Sequence, residues 1–323
     1  MSGLSRRPVL VLGGLGFIGA HLADRLLALD ARVTIVTRPR DRRRDVASTL
    51  ESRGARIVDA DVRDLAAMQS VVAGQHAIFN LAGQSGAVRS MEDPWTDLDV
   101  NCRGGLTLLE AMRAANREAT LVFVGSRLEY GRPEAQPVGE DARQDPLCLH
   151  AIHKLTVEQY LRLYAQLFGI RYTIARMTNP YGPGQARDRT GYGVVNRLIH
   201  LALAGDALPI YGDGSQRRDY IYIEDAVNAL VALAESERSH GRVYNVGTGV
   251  GTRLIDMAHA IIRCAGSGRI ESVAWPPLAA QIETGDFVAD IARIRTEIGW
   301  APAVALEEGL RRTVAFHRVR VGS

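Results

Sequence analysis

Val9-Leu10-Val11-Leu12-Gly13-Gly14-Leu15-Gly16-Phe17-Ile18-Gly19 is the stretch that decides how the first half of this chain folds. Four apolar residues run into glycines spaced three apart, and a helical pattern starts at Phe17. Each spacing has a physical reason. Gly13 permits a tight turn, Gly16 lets the backbone approach a pyrophosphate, and Gly19 lets helix and strand pack closely. Free N–H groups at Phe17 and Ile18, on the first turn of the helix, then face the phosphate charge. Glycines also mark ordinary turns, but strand, spacing and helix agree here and predict a dinucleotide-binding turn.

Outward from that turn, short β-branched runs alternate with helical patterns. Val33–Thr37, Ile57–Ala60, Ala77–Asn80, Leu121–Val124 and Arg171–Ala175 read as strands, and Leu65–Val72, Gly104–Ala115 and Leu155–Phe168 as helices. Continuous apolar strands between helices mark a parallel sheet covered on both faces. Beyond Arg176 the texture changes to loops rich in Gly and Pro, with helices between them. The expected fold is therefore α/β: a Rossmann-type doubly wound parallel sheet with a smaller C-terminal substrate-binding lobe. Its halves are residues 1–175 and 176–323, partly interleaved.

The 323 residues are 46% apolar and 23% charged, enough to bury a large core. No apolar run is long enough to span a membrane, and the N-terminus lacks the pattern of a signal peptide, so a cytoplasmic protein is expected. Cys102, Cys148 and Cys264 are scattered without metal-ligand spacing; they imply reduced thiols and no bound metal. The net charge of +3 is concentrated in Arg38-Pro39-Arg40-Asp41-Arg42-Arg43-Arg44. No aromatics interleave this run, so it reads as a solvated loop and not a nucleic-acid surface.

An acidic residue at the end of the second strand would grip a ribose 2′-hydroxyl, as with NAD. Thr37 and Arg38 stand there instead. A cation beside a small hydroxyl suits a 2′-phosphate and favours NADP; the plainer alternative is that Arg38 only begins the basic loop. Asp61 and Val62, after the third strand, are expected beside the adenine. Leu81, Ala82 and Gly83, after the fourth, are expected to pass close to the cofactor ribose.

The ordered motifs extend from Val9 to about Val314. They include Asn80 to Gln84, Asp99 to Asn101, Gly125-Ser126 to Tyr130-Gly131, Lys154, Arg176 to Gly184, Arg218 to Tyr222 and Tyr244 to Gly249. With them the chain resembles the extended short-chain dehydrogenase/reductases, in particular nucleotide-sugar epimerases and dehydratases. The resemblance implies a Ser/Thr, a Tyr and a Lys four residues later as catalytic groups. The lysine lowers the phenol's pKa and holds the nicotinamide ribose, and the phenolate takes a proton from a sugar hydroxyl as hydride leaves. Ser126 and Lys154 match two of these roles, but His150 occupies the tyrosine position.

His150 and Lys154 are four apart, so both can face one side of a helix start. An imidazole beside an ammonium has a depressed pKa and can accept a proton near neutrality. Three alternatives stand: His150 is the replacement acid/base, Cys148 or Tyr130 has taken over, or hydride chemistry is lost and the chain only binds. His153, in the same turn, reads as an exposed polar residue. The dehydratases and related decarboxylases place an acid at the positions of Arg127 and Leu128. Glu129 is one register late and so turns to the other face, which disfavours elimination.

The resemblance also implies a nucleotide-sugar substrate. Asn179 matches a contact to the sugar diphosphate or its hydroxyls, and Arg218 a phosphate-binding arginine, with a surface salt bridge to Asp219 as its alternative. Tyr211 would pack against the nucleobase or serve only as a turn residue, and Arg89 and Ser90 would reach the sugar. Glu283 stands where relatives carry a basic residue, which implies a missing phosphate contact or a different ligand. The helices Gly104–Ala115 and Leu155–Phe168 correspond to a pair that forms a homodimer interface in such proteins. The expected activity is NAD(P)-dependent nucleotide-sugar epimerisation by transient oxidation and re-reduction. Its alternatives are a binding protein and an NADPH-dependent keto-sugar reductase or dehydratase.

Overall fold

In β1 (Pro8–Leu12), Val9 and Val11 face one side of a sheet, Leu10 and Leu12 the other, and all four are fully buried. A strand with both faces covered needs this unbroken apolar run, because neither side meets water. The protein is described by a computed structural model covering residues 2–38, 43–185 and 193–321.

The further strands are β2 (Arg32–Thr37), β3 (Arg56–Asp59), β4 (Ala77–Asn80), β5 (Thr120–Ser126), β6 (Tyr172–Met177), β7 (Asn179–Tyr181), β8 (Ala207–Tyr211), β9 (Arg217–Tyr222), β10 (Arg242–Val246), β11 (Gly251–Arg253) and β12 (Arg269–Val273). Seven of them form one parallel sheet in the order β10-β6-β5-β4-β1-β2-β3. The order reverses between β1 and β4. Beyond the carboxyl ends of strands at such a reversal, helices on opposite faces leave a crevice open to a ligand. The expected Rossmann-type α/β fold is the fold observed.

The C-terminal part of the chain does not stay apart from this sheet. β10 pairs with β6 as the seventh strand, and the helix Ile223–Glu235 packs against the helix Phe17–Ala28 and on β5 and β6. The remaining segments build a small three-stranded sheet, β11-β9-β7, and a two-stranded one, β12-β8. Helices Val194–Leu203, Leu254–Ala265 and Leu306–Val321 pack around them. One apolar cluster runs from Val9 and Leu22 through Ile221 to Ile261 and Leu310, so both parts share a core.

The helix expected from Leu155 begins six residues earlier, at Leu149, and runs to Phe168. Its first turns carry His150, His153 and Lys154, which interrupt an amphipathic pattern on paper. In the fold these three side chains are buried, not exposed. No helix among the described residues is long and apolar enough to cross a membrane.

Candidate active site

The dinucleotide turn is built from backbone. Gly13 has φ +76°, and a Cβ there would stand 2.9 Å from the Ala82 nitrogen. The turn after β1 and the loop after β4 therefore touch, bringing Leu81 and Ala82 beside Gly13, while Gly83 lies against Asn101 and Lys154. No side chain caps the helix Phe17–Ala28 at Gly16, so the amides of its first turn are not consumed internally.

Where the adenine is expected, Thr37 is buried and Arg38 exposed. Arg38 acts electrostatically on Asp61, and Arg63 grips the same carboxylate at 2.6 and 2.9 Å. The bond to Arg63 holds the Asp61 carboxyl below its ordinary range. Val62 is buried. Pro39 to Arg42, the middle of the basic run, lie outside the described residues.

At the nicotinamide end, Lys154 is buried and donates to the Val124 carbonyl at 3.0 Å. Its Nζ lies 4.8 Å from the centroid of the Phe123 ring. Burial pushes the ammonium down to about 8, opposed by the charges of Glu129 and Asp97. A Cβ on Gly83 would collide with the Asn101 amide and approach Lys154, so only a glycine fits this crossing. Asn80 Oδ1 and Asn101 Oδ1 are buried acceptors with no hydrogen-bond donor among the described residues. Asn101 Oδ1, at the same crossing as Lys154, and Asn80 Oδ1, at the end of β4, are orphaned acceptors that fit the hydroxyls of a cofactor ribose.

His150 stands one helical turn before Lys154, 7% exposed. Burial holds its pKa below the ordinary imidazole value, Asp97 works against this, and Lys154 reinforces it. Asp97 had no place in the sequence reading. It is fully buried and lies between two imidazoles, 2.6 Å from His153 Nδ1 and 3.8 Å from His150 Nδ1. Burial alone would raise this carboxyl, but the two histidines outweigh it and draw its pKa below the usual carboxylate range. His153, expected on the surface, is thus a buried partner of Asp97.

Ser126 ends β5 and caps the short 3₁₀ turn Arg127–Tyr130, accepting from the Leu128 nitrogen at 3.2 Å. Glu129 closes the cap by accepting from the Ser126 nitrogen at 2.7 Å. Glu129 is fully buried behind Ser126, among Glu158 and Arg176. Burial and the neighbouring Glu158 raise its pKa well above the ordinary value. The strand register expected for it does not apply, because β5 ends at Ser126 and Glu129 lies on the 3₁₀ turn that follows. Tyr130 is also withdrawn: its hydroxyl donates to Asn245 Oδ1 at 2.7 Å and accepts from Arg176 at 2.9 Å. Cys148 is buried, and burial pushes its thiol up. All three candidates for the proton transfer are buried; Tyr130 is engaged by Asn245 and Arg176, and His150 Nδ1 has no hydrogen-bond partner among the described residues.

The family model for the NAD dependent epimerase/dehydratase family matches residues 9–247, most of the chain. The chain belongs to that family. Its sequence is 35% identical over 316 residues to a UDP-glucose 4-epimerase of Mycolicibacterium smegmatis, covering 96% of this chain and 98% of the relative. It is 30% identical over 325 residues to UDP-glucuronic acid decarboxylase 1 of Xenopus tropicalis, covering 98% and 74%. The crystal structure of the Thermotoga maritima UDP-glucose 4-epimerase with UDP-glucose superposes with a TM-score of 0.89 at 29% identity, covering 97% of this chain and 99% of that one. This is a family of NAD-dependent enzymes, and the nucleotide-sugar epimerase resemblance of the sequence holds.

Within the family frame, the substrate end departs from several expectations. Arg218 does not pair with Asp219. It bonds Glu283, the acid that stands where relatives carry a base, while Asp219 accepts from Thr248, Gly249 and Ala289. Asn179 accepts from Arg127 Nε at 3.2 Å and donates to the Asp219 carbonyl at 2.9 Å. Ser90 does not face a sugar. It is fully buried and donates to the Ala87 carbonyl at 2.7 Å, because its short helix turns it inward. Arg89 on the same helix is exposed. Tyr211 is half-buried with its ring 5.1 Å from that of Trp275.

Proposed function

We propose that this chain is a nucleotide-sugar epimerase in which His150, oriented by Asp97, replaces the family's phenol. The observation carrying this reading is the buried Asp97 carboxylate facing His150 Nδ1, two groups with no other claim on the facing atoms among the described residues. A carboxylate on Nδ1 fixes the tautomer that leaves Nε2 as proton acceptor. The gap of 3.8 Å is longer than a hydrogen bond; such contacts tighten when a ligand closes the site.

In this mechanism Ser126 Oγ holds the reacting sugar hydroxyl and His150 Nε2 takes its proton. Asp97 stabilises the resulting imidazolium. Lys154 holds the ribose and supplies positive charge beside the reacting oxygen. A nicotinamide held at this site would supply reversible hydride transfer to and from the sugar carbon. His150 then gives its proton back to the inverted alcohol, so no net redox change appears.

Gly13, Gly16, Phe17, Ile18 and Gly19 would hold the pyrophosphate, and Asn80, Asn101 and Lys154 the nicotinamide ribose. Arg38, at a strand end without an acid, favours NADP over NAD. The Tyr211–Trp275 pair offers a base-stacking platform. Leu106, Leu163 and Leu167 are exposed on the helices Gly104–Ala115 and Leu149–Phe168, which supports a homodimer through those helices. Its free cysteines suit a reducing, cytoplasmic setting.

The test is a panel of UDP- and dTDP-sugars incubated with the protein and NAD or NADP in heavy water and read by proton NMR. An inverted sugar signal that disappears in His150→Ala supports the reading. Silence across the panel, with binding still seen as a thermal shift, replaces it with a non-catalytic binder.

A further inference from the structure

The segment from Gln281 to Val288 is fastened along its length by side chains and backbone from elsewhere in the chain. Arg132 Nε donates to the Glu283 carbonyl at 2.8 Å, and its Nη2 to the Gln281 carbonyl at 3.2 Å. Arg127 Nη1 donates to Thr284 Oγ1 at 2.9 Å, and the Gln136 amide bonds both the Asp286 carbonyl and the Val288 nitrogen. The Phe287 nitrogen donates to the Arg217 carbonyl at 3.1 Å.

Glu283 is therefore delivered from a held backbone. Gly285 takes φ +68°, a conformation that favours glycine, and its N–H turns back to Glu283 Oε1 at 3.0 Å. The same carboxylate oxygen accepts from Arg218 Nη2, while Arg218 Nη1 donates to the carbonyls of Gly285 and Arg217. One turn thus supplies both a carboxylate and a carbonyl to the guanidinium. The Arg218 side chain is 9% exposed and that of Glu283 25%, so the acid is the more accessible member of the pair.

The surrounding charges leave nothing over. Arg127 feels Arg218, Glu283 and Asp219 together, two guanidiniums and two carboxylates whose charges cancel. Asp219 is committed to Thr248, Gly249 and Ala289 and does not compete for Arg218. Glu283 is thus the group that occupies the arginine matched by sequence to phosphate binding. A guanidinium takes a carboxylate and a phosphate by the same fork of N–H groups, so the two anions exclude one another there. A carboxylate displaced by a phosphate stays close to it, and the like charges repel.

We infer that Glu283 is a specificity-determining residue that competes with the ligand's phosphate for Arg218. The inference rests on the nucleotide-sugar reading of the same site. Binding is then weighted toward the base and the sugar, and the penalty falls most on the most highly charged linkage.

Competition is read by titrating UDP, and uridine as the same base and ribose without phosphate, into wild type and Glu283→Gln with NAD present. Calorimetry follows UDP, and ligand-observed proton NMR follows uridine. The expected result is UDP bound at least fivefold tighter by Glu283→Gln than by the wild type, with uridine affinity unchanged. Adding Arg218→Met to Glu283→Gln should erase that gain, and a gain that survives it overturns the role given to Arg218. UDP affinity unchanged or weakened in Glu283→Gln overturns the competition. So does an equal gain for UDP and uridine, because the effect is then not on phosphate. If the double variant does not fold, the comparison of UDP with uridine in Glu283→Gln decides alone. Binding of neither ligand by wild type or Glu283→Gln overturns the nucleotide-sugar reading itself.

Discussion

The two ends of the crevice are specified in different ways. At the dinucleotide turn the site consists of backbone: a left-handed Gly13, an uncapped helix start, and a loop that crosses within contact distance. At the reacting end it consists of side chains whose meaning depends on partners far away in sequence. Asp97 lies 56 residues from His153, Arg127 meets Thr284 across 157, and Glu283 meets Arg218 across 65. A backbone site tolerates no change of residue type at a few positions and ignores most others. A side-chain site can exchange one acid/base for another if the surrounding charges are rebuilt, which is what the proposed role of His150 and Asp97 requires.

The largest effect that tests this contrast is on turnover. His150→Ala should lower epimerisation by ~10²–10⁴-fold, the usual worth of a positioned acid/base, while leaving dinucleotide affinity within a factor of two. Fluorescence titration of the reduced cofactor checks the second half, and a parallel loss of cofactor binding would break the separation of the two ends. Gly13→Ala should do the opposite. A Cβ at positive φ and close to Ala82 costs about 1–3 kcal/mol, read as a lower melting temperature and weakened cofactor binding.

Asp97→Asn sharpens the reacting end. The expected loss is about tenfold in kcat/KM, with a change in its pH profile. His150 acts as a base, so the rate rises as pH climbs through its pKa, which burial places below the ordinary value. Lys154 acts as a cation, so the rate falls as pH passes about 8. Removing the Asp97 charge withdraws support for the imidazolium and moves the acid limb to still lower pH. An unmoved acid limb would mean that Asp97 is only a packing element. The smallest effect belongs to Trp275→Ala, for which a loss of about 1 kcal/mol in UDP affinity is expected from one aromatic stack, measured by calorimetry.

These differences also explain what could be read from the chain. The Rossmann-type sheet was legible because each buried strand is a continuous apolar run, and the glycine turn because its spacing is local. Lys154 and His150 were legible as a four-residue pair on one helix face. Asp97 was not, since Trp95-Thr96-Asp97-Leu98-Asp99 carries two acids and nothing local distinguishes the one that is buried. His153 was placed on the surface because a polar residue with no visible partner defaults to solvent. Trp275, between an alanine and two prolines, gave only a loop signal, and its pairing with Tyr211 exists only through the β8–β12 strand pair. Arg127 was weighed only as an absent acid, because its partners Asn179 and Thr284 are brought to it only by the fold.

The strand β10 ties the end of the chain to its beginning. It covers the flank of β6, and in the chain it follows β7, β8 and β9 of the small sheets. A fragment stopped at the end of β6 would present a full row of unpaired amides and carbonyls along a buried-type apolar strand, a template for sticking to other chains. During synthesis the first half must therefore wait for residues 242–246 before its sheet is sealed at β6.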